Sequence, residues 1–281
     1  MDRRKFLKTT GVVSGAGILT GFYTWQIEPH WLEIVKRKMP IKNLPENLVG
    51  RTLMQISDIH VGHLVSSSFL RNSLEKAAKL APDFIVYTGD YIHYDKRKSF
   101  TELKEMAPFF PKGKLGTVGI LGNHDFGESW AEPHVADTIS EILEDFDIPI
   151  LRNSVIDLEG LKVFGVDDFW GTNFRPENAM NKYSDQEPSL VLCHNPDVCD
   201  LDVWNGYQGW ILSGHTHGGQ VKPPFLDAPI LPVENKRYGQ GEIDLFDGRK
   251  LYINRALGHL YQVRFNVRPE ITIFELEKEI S

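Results

Sequence analysis

An α/β fold is the architecture this sequence predicts, and three observations predict it. Short apolar runs of strand length alternate with segments whose apolar residues recur at helical spacing. The runs end, one after another, in Asp, Asn or His, as expected where strands deliver ligands at their carboxyl ends. With 281 residues, 41% hydrophobic and 25% charged, the chain can bury one sizeable core without splitting into two domains.

Leu53 to Ile56 is the first such run and leads into Ser57-Asp58-Ile59-His60. Ser66 to Ser68 can cap a helix that carries Leu70, Leu74, Ala77 and Ala78 at helical spacing. Phe84 to Tyr87 is the next strand and ends in Gly89-Asp90; a helix-like stretch from Phe100 to Phe110 follows. Thr117 to Leu121 runs into Gly122-Asn123-His124-Asp125, and Ala136 to Phe146 has the spacing of another amphipathic helix. Ile150-Leu151, Val155-Ile156 and Leu161 to Val166 are expected as three short strands joined by turns such as Glu159-Gly160. Leu190 to Leu192 ends in Cys193-His194-Asn195-Pro196, and Trp210 to Leu212 in Ser213-Gly214-His215-Thr216-His217. Ile243 to Phe246 and Leu251 to Ile253 face each other across Asp247-Gly248 as a hairpin.

The first residues read as an address. Arg3-Arg4-Lys5-Phe6-Leu7-Lys8 precede an uncharged, glycine-rich run from Thr9 to Ile27. This resembles a twin-arginine export signal, with Asp2 where Ser or Thr is usual. Gly11, Gly15, Gly17 and Gly21 would weaken a helix packed in water and are tolerated in a membrane. The run matches the roughly 20 residues that one bilayer crossing requires. Residues 1–27 are therefore expected to be an uncleaved membrane anchor that engages the twin-arginine export machinery. Residues 28–47 are expected as a juxtamembrane connector whose Lys36, Arg37 and Lys38 rest on anionic headgroups or form a solvated face. The location that follows is a bacterial cell envelope, facing the periplasm or the cell exterior. An anchor without export would leave the body at the cytoplasmic face of the inner membrane instead.

A formal charge of −7 argues against nucleic acid as a partner, which would call for a basic footprint. It leaves anionic substrates open, because bound cations reverse the local sign. The cysteines Cys193 and Cys199 form no CxxC pair, so a thiolate zinc site is excluded. Two small buried side chains are the simpler reading of them.

Five of the ten histidines fall in the strand-end clusters. A lone histidine after a strand is more often structural; five independent clusters indicate one metal site. Asp58 and His60 stand two residues apart at a strand end, as do His215 and His217 on a Gly-rich turn, so each pair can point one way. The ordered set D-x-H, G-D, G-N-H-D, H-N-P and G-H-T-H resembles the calcineurin-like metallophosphoesterase family. The Gly214 to Val221 motif, the ending Arg264-Phe265 to Arg268-Pro269-Glu270-Ile271-Thr272 and the export signal are similar to its bacterial YaeI-like phosphodiesterase branch.

The resemblance implies a four-layer αββα sandwich, two mixed sheets flanked by helices, over residues 48–281. It implies one metal held by Asp58, His60 and His217, a second by Asn123, His194 and His215, and Asp90 bridging them. Oxygen and imidazole donors suit manganese, iron or zinc. Two cations roughly 3.5–4 Å apart can hold a bridging hydroxide and stabilise an in-line displacement. Direct water attack on phosphorus, without a covalent enzyme intermediate, is therefore expected. His124 would stabilise the transition state or protonate the leaving oxygen. Many relatives orient this histidine with an Asp at the position of His93; here Asp95 or Asp125 would have to take that role, or it is absent.

His63 and Arg255 are candidate substrate contacts, and Arg264, Arg268 and His259 weaker ones; solvent exposure or structural pairing is the competing reading for each. Phe169-Trp170 with Phe174, and Pro223-Pro224-Phe225-Leu226 with Ile230-Leu231-Pro232, make two unusually apolar loops. They either pack between layers or form a rim that receives an acyl chain or touches a bilayer. The expected function is hydrolysis of a lipid-linked or envelope phosphodiester. Its rivals are a UDP-2,3-diacylglucosamine-type pyrophosphate hydrolase, which the resemblance also admits, a phosphomonoesterase, and a non-catalytic envelope-binding protein.

Overall fold

The computed structural model describes residues 3–62, 64–94 and 96–279. In chain order its strands are β1 (Glu33–Ile41), β2 (Thr52–Ile56), β3 (Phe84–Thr88), β4 (Gly116–Ile120), β5 (Ser154–Leu158) and β6 (Leu161–Gly165). There follow β7 (Ser189–Leu192), β8 (Gly209–Ser213), β9 (Gly241–Asp244), β10 (Arg249–Ile253) and β11 (Glu270–Lys278). The helices are α1 (Arg3–Phe22), α2 (Ser67–Lys79), α3 (Lys96–Met106), α4 (Pro133–Glu144) and the short α5 (Glu177–Met180). One sheet has the order β1-β11-β2-β3-β4, the other β5-β6-β7-β8-β10-β9. Both are mixed: β2, β3 and β4 run parallel with β11 antiparallel to β2, while β6, β7, β8 and β10 run parallel between antiparallel edges.

The central strands β2, β3, β4, β7 and β8 are buried along almost their whole length because both faces of each sheet are covered there. Leu53, Phe84 and Val86 point between the sheets, where they meet Leu190, Leu192, Trp210 and Leu212. Their neighbours Met54, Ile85 and Tyr87 face the other way, under Leu74 and Ala77 of α2, Leu103 of α3 and Ile139 of α4. On the second sheet Val191 and Ile211 face outward onto Met180, Val198 and Tyr207. The expected layers are present, but the second outer layer is thin: α5, a 3₁₀ turn at Pro196–Asp200 and loops. The predicted α2 cap holds, with Ser66 Oγ accepting from the Phe69 amide at 3.4 Å.

Three expectations need correction. The supposed connector 28–47 belongs to the fold: β1 pairs with β11 over its whole length, and the buried Glu28 carboxylate accepts from the Val267 amide at 2.7 Å. At the sheet edge β1 leaves Lys36, Arg37 and Lys38 exposed in mid-strand and buries Met39 and Ile41 near its end. Of the three short strands expected between 150 and 166, two form; Ile150 makes only a single bridge to Gly119. The N-terminal segment is helical as α1, and a Cβ added at any of its four glycines would meet nothing within 4 Å. Among the described residues, however, no helix is both long and apolar enough to cross a membrane, because Gly, Ser and Thr dilute the apolar content of α1.

Candidate metal centre

The parallel strands β2, β3 and β4 in one sheet and β7 and β8 in the other bring their carboxyl ends to one edge of the sandwich. Asp58 and His60 follow β2, Asp90 follows β3, Asn123 and His124 follow β4, His194 follows β7, and His215 and His217 follow β8. Asp58, His60, Asp90, Asn123, His194, His215 and His217 are all buried. Two groups of donors form: Asp58, His60, Asp90 and His217, and Asp90, His194 and His215, with one donor atom of each residue within 4.8 Å of the others in its group. Asp90 belongs to both. In the first group Nε2 of His60 and of His217 lie 3.1 Å apart, and Asp58 Oδ1 is 3.3 Å from the latter. Asp90 Oδ2 lies 3.6 Å from His60 Nε2 and 3.2 Å from His194 Nε2. Beside the second group, Asn123 Oδ1 lies 3.0 Å from His215 Nδ1.

These separations fit shared cations. Donors about 2.1 Å from one ion lie roughly 3.0–3.4 Å from each other in octahedral or tetrahedral arrangements. His194 Nε2 is fully buried and lacks a well-aligned hydrogen bond, whereas its Nδ1 is held by the Thr88 carbonyl at 2.7 Å. That leaves Nε2 as the free donor, the usual orientation of a metal-binding imidazole.

The backbone is committed to this arrangement. Asp58, His60, Asp90, His215 and His217 have φ of 51°, 50°, 55°, 69° and 51°, left-handed values that cost non-glycine residues about 1–3 kcal/mol each. The turns hold one another there. Asp58 N donates to Gly89 O at 2.9 Å, His60 N to Asp90 O at 3.1 Å, and His215 N to Asp58 Oδ1 at 3.0 Å. Two glycines leave the necessary room: a Cβ at Gly122 would lie 2.3 Å from Asp90 Oδ1, and one at Gly214 2.2 Å from Asp58 Oδ2.

Burial opposes every charge in the cluster, and the partners decide the outcome. For Asp90 burial is outweighed by His194, His124 and His60, and its pKa lies well below the usual carboxylate range. Asp58 is likewise lowered by His217 and His194 against burial. His194, between Asp90, Asp58 and Asp168, is raised well above the usual imidazole value despite burial. His60 is driven well down by burial, and His215 to about 3 by burial and His194. Ionised carboxylates and neutral imidazoles are the forms that bind divalent cations, so Asp58, Asp90, His60 and His215 are ready for ligation, whereas His194 has to give up a proton as a cation binds.

Residues 51–219 match the model of the calcineurin-like phosphoesterase family. This chain belongs to that family. It is 30% identical to phosphodiesterase YaeI of Escherichia coli over 98% of this chain and 99% of that protein. It is also 30% identical to the uncharacterized metallophosphoesterase YkuE of Bacillus subtilis, over 99% and 98%. To the UDP-2,3-diacylglucosamine pyrophosphatase LpxG of Chlamydia trachomatis it is 26% identical, over 93% and 94%. The protein is thus a metallophosphoesterase, and its His/Asp cluster is compatible with the two divalent metals of such an enzyme.

A cavity of about 370 Å³ opens onto the donors and is lined by Asp90, Asn123, His124, His215 and His217 together with Trp130 and Trp170. His124, half-buried, donates its amide to Asp90 Oδ1 at 2.9 Å, and its ring stands 5.1 Å from that of His60. Burial lowers its pKa, only partly offset by Asp90. His93 lies against it, ring centroids 4.6 Å apart. Asp125 is turned away from the His124 ring: its carboxylate accepts from the amides of Tyr91, Ile92 and Gly122 at 3.0, 3.3 and 2.9 Å. Asp95 and His63 lie outside the described residues.

The other suggested contacts are structural. Arg255 pairs with Glu270 and with Glu33 at 3.1 Å. The latter partner belongs to β1, a strand the sequence reading had set outside the fold. Arg264 is wholly buried and donates to the carbonyls of Val267, Arg255 and Gly258. It thereby braces the loop whose Leu257 and Gly258 amides bond Ser57 and Asp58. Arg268 covers the Trp31 ring at 3.8 Å, and His259 is buried against the Leu64 carbonyl.

Two features escaped the sequence reading. Asp168 is buried near His194 and Asp90, with burial raising its pKa to about 6; it follows the apolar run of β6, the same strand-end signal that marked the others. Trp130 and Trp170 stack with centroids 5.0 Å apart, Trp170 edge-on to His215 and Trp130 to His124. Trp170 stood out only as an apolar loop residue, because nothing local says that two loops 40 positions apart meet.

Proposed function

We propose that this metallophosphoesterase hydrolyses a phosphodiester of a lipid-linked or envelope substrate. Asp58, His60 and His217 would hold one divalent cation, Asn123, His194 and His215 the other, with Asp90 on both. The observation that carries this reading is the shared Asp90, common to two buried donor groups at the floor of one cavity. A pair of cations there supplies Lewis acidity, water of lowered pKa and charge neutralisation at phosphorus. The protein's own part is positional. The left-handed turns fix the donors, and burial keeps His60 and His215 neutral for ligation. His124, anchored through its amide to Asp90, faces the same cavity. In hydrolysis a water oxygen bonds to phosphorus as the ester P–O bond breaks, the proton that the water gives up is matched by one gained at the leaving oxygen, and His124 would stabilise the transition state or relay that proton. With nitrogen and oxygen donors and no thiolate, manganese, iron or zinc fits the site.

Support for a diester comes from YaeI, which resembles this chain end to end. Comparing a bis-aryl with a mono-aryl phosphate tests it: faster bis-aryl turnover, abolished by chelation, is expected, and faster monoester turnover refutes it. The LpxG similarity, over 93% of this chain, favours a second reading, cleavage of a UDP-sugar lipid pyrophosphate. Release of UMP from UDP-2,3-diacylglucosamine would establish that reading. We place the enzyme in the bacterial envelope on the Arg3-Arg4 pattern. Fusing residues 1–29 to a reporter active only after export tests this, and a silent reporter would assign the cytoplasmic face.

A further inference from the structure

A second cavity, of about 400 Å³, continues from the first; His215, His217, Pro232, Leu260 and Tyr261 line both. Beyond the histidines its walls are Val221, Pro229, Ile230 and Val263, so the path away from the metal centre turns apolar. The rim of this path projects into solvent. Ile230 is 77% exposed and Tyr261 73%, while Phe225 and Leu226 at the tip of the same loop are 105% and 63% exposed. Single exposed apolar residues are ordinary, but several around one opening mark a contact surface.

The N-terminal segment joins this surface. The Thr24 carbonyl accepts from the Arg264 amide at 2.9 Å, and the Trp25 carbonyl from Gln262 Nε2 at 3.4 Å. Phe22 and Trp25, each about half exposed, therefore adjoin the stretch 261–264 that lines the groove. Preceding them, α1 carries exposed Val12, Val13, Ile18 and Leu19 after the exposed cations Arg3, Arg4 and Lys8. The apolar side chains of α1 are spread around the helix rather than along one face, so the helix adds cations and scattered apolar groups beside the rim but no apolar face of its own.

We propose that the 223–231 loop, the 260–263 segment and the stretch from Phe22 to Trp25 form one surface that docks on an anionic membrane. The groove then leads an acyl chain of the substrate from that membrane to the metal centre, a use that rests on the lipid-linked reading above. Two observations select a lipid surface over a protein partner. A protein seated on this rim would close the mouth of the site, whereas a bilayer would deliver substrate through it. The cations at the start of α1 complement anionic headgroups.

The test is co-sedimentation of the full-length protein with phosphatidylcholine vesicles, with and without phosphatidylglycerol. We expect the protein to pellet with the anionic vesicles. The double variant Phe225→Asp/Leu226→Asp should partition ~10-fold less or weaker still, since each buried apolar side chain stabilises insertion considerably. Trp25→Asp should weaken partition independently. Turnover of a soluble bis-aryl phosphate should be unchanged in both, showing intact folding. Wild-type protein that stays in the supernatant, or variants that pellet equally well, would overturn the proposal. A dimer that the double variant disrupts, with no vesicle binding, would assign the rim to a second copy and also overturn it. Vesicle binding without diester turnover would instead refute the catalytic reading and leave the surface standing.

Discussion

Asp90→Asn is the most informative single change. It keeps side-chain size and the acceptor for the His124 amide, 2.9 Å away, but removes the charge shared by both donor groups. A cation at 100 times its dissociation constant stabilises the folded state by about 2.7 kcal/mol, so two such cations contribute about 5 kcal/mol. At roughly 2–4 °C per kcal/mol for a protein of this size, saturating metal should raise the wild-type Tm by ~10–20 °C. His217→Ala touches only the first group and should keep about half of that rise. Asp90→Asn should keep less than a third, because neither group retains its full charge. Thermal unfolding with and without manganese or zinc, alongside elemental analysis of bound metal, reads this directly. If Asp90→Asn binds two metals and shows the wild-type rise, the shared-carboxylate geometry does not govern loading and the reasoning fails.

Other consequences are as specific. His124→Ala should lower diester turnover by ~10²–10⁴-fold while both metals remain bound; unchanged turnover would remove it from the reaction. Gly122→Ala should lose metal and activity together, because its methyl would lie 2.3 Å from Asp90 Oδ1 and 2.7 Å from His194 Cε1; a fully loaded variant would show that the turn can shift. In metal-free protein Asp168 holds its proton up to about pH 6, above its ordinary 3.8. The folded state therefore binds more protons within that window, and this residue's contribution is present at low pH and lost as pH rises through 6. The loss amounts to ~3 kcal/mol. Asp168→Asn should abolish that component, so urea unfolding of both proteins at pH 4 and pH 7 in chelator should show the variant gaining relative to wild type at the higher pH.

Much of this molecule was legible without coordinates. The α/β class followed from apolar runs and helical spacing, and the strand-end clusters drew attention to the residues that gather at one edge. Both signals are local: a strand buried on both faces must be apolar along its whole length, and a turn after it must carry whatever function the sheet presents. Long-range pairing is not local. Nothing in the stretch Glu33 to Ile41 says that a strand near the chain end lies beside it, so it was read as a connector, and Arg255 seemed available for substrate until Glu33 and Glu270 enclosed it. Arg264 and the Trp130–Trp170 stack belong to the same class. Side-chain type proposed what each could do; burial, which depends on what the rest of the chain folds against it, settled what each touches.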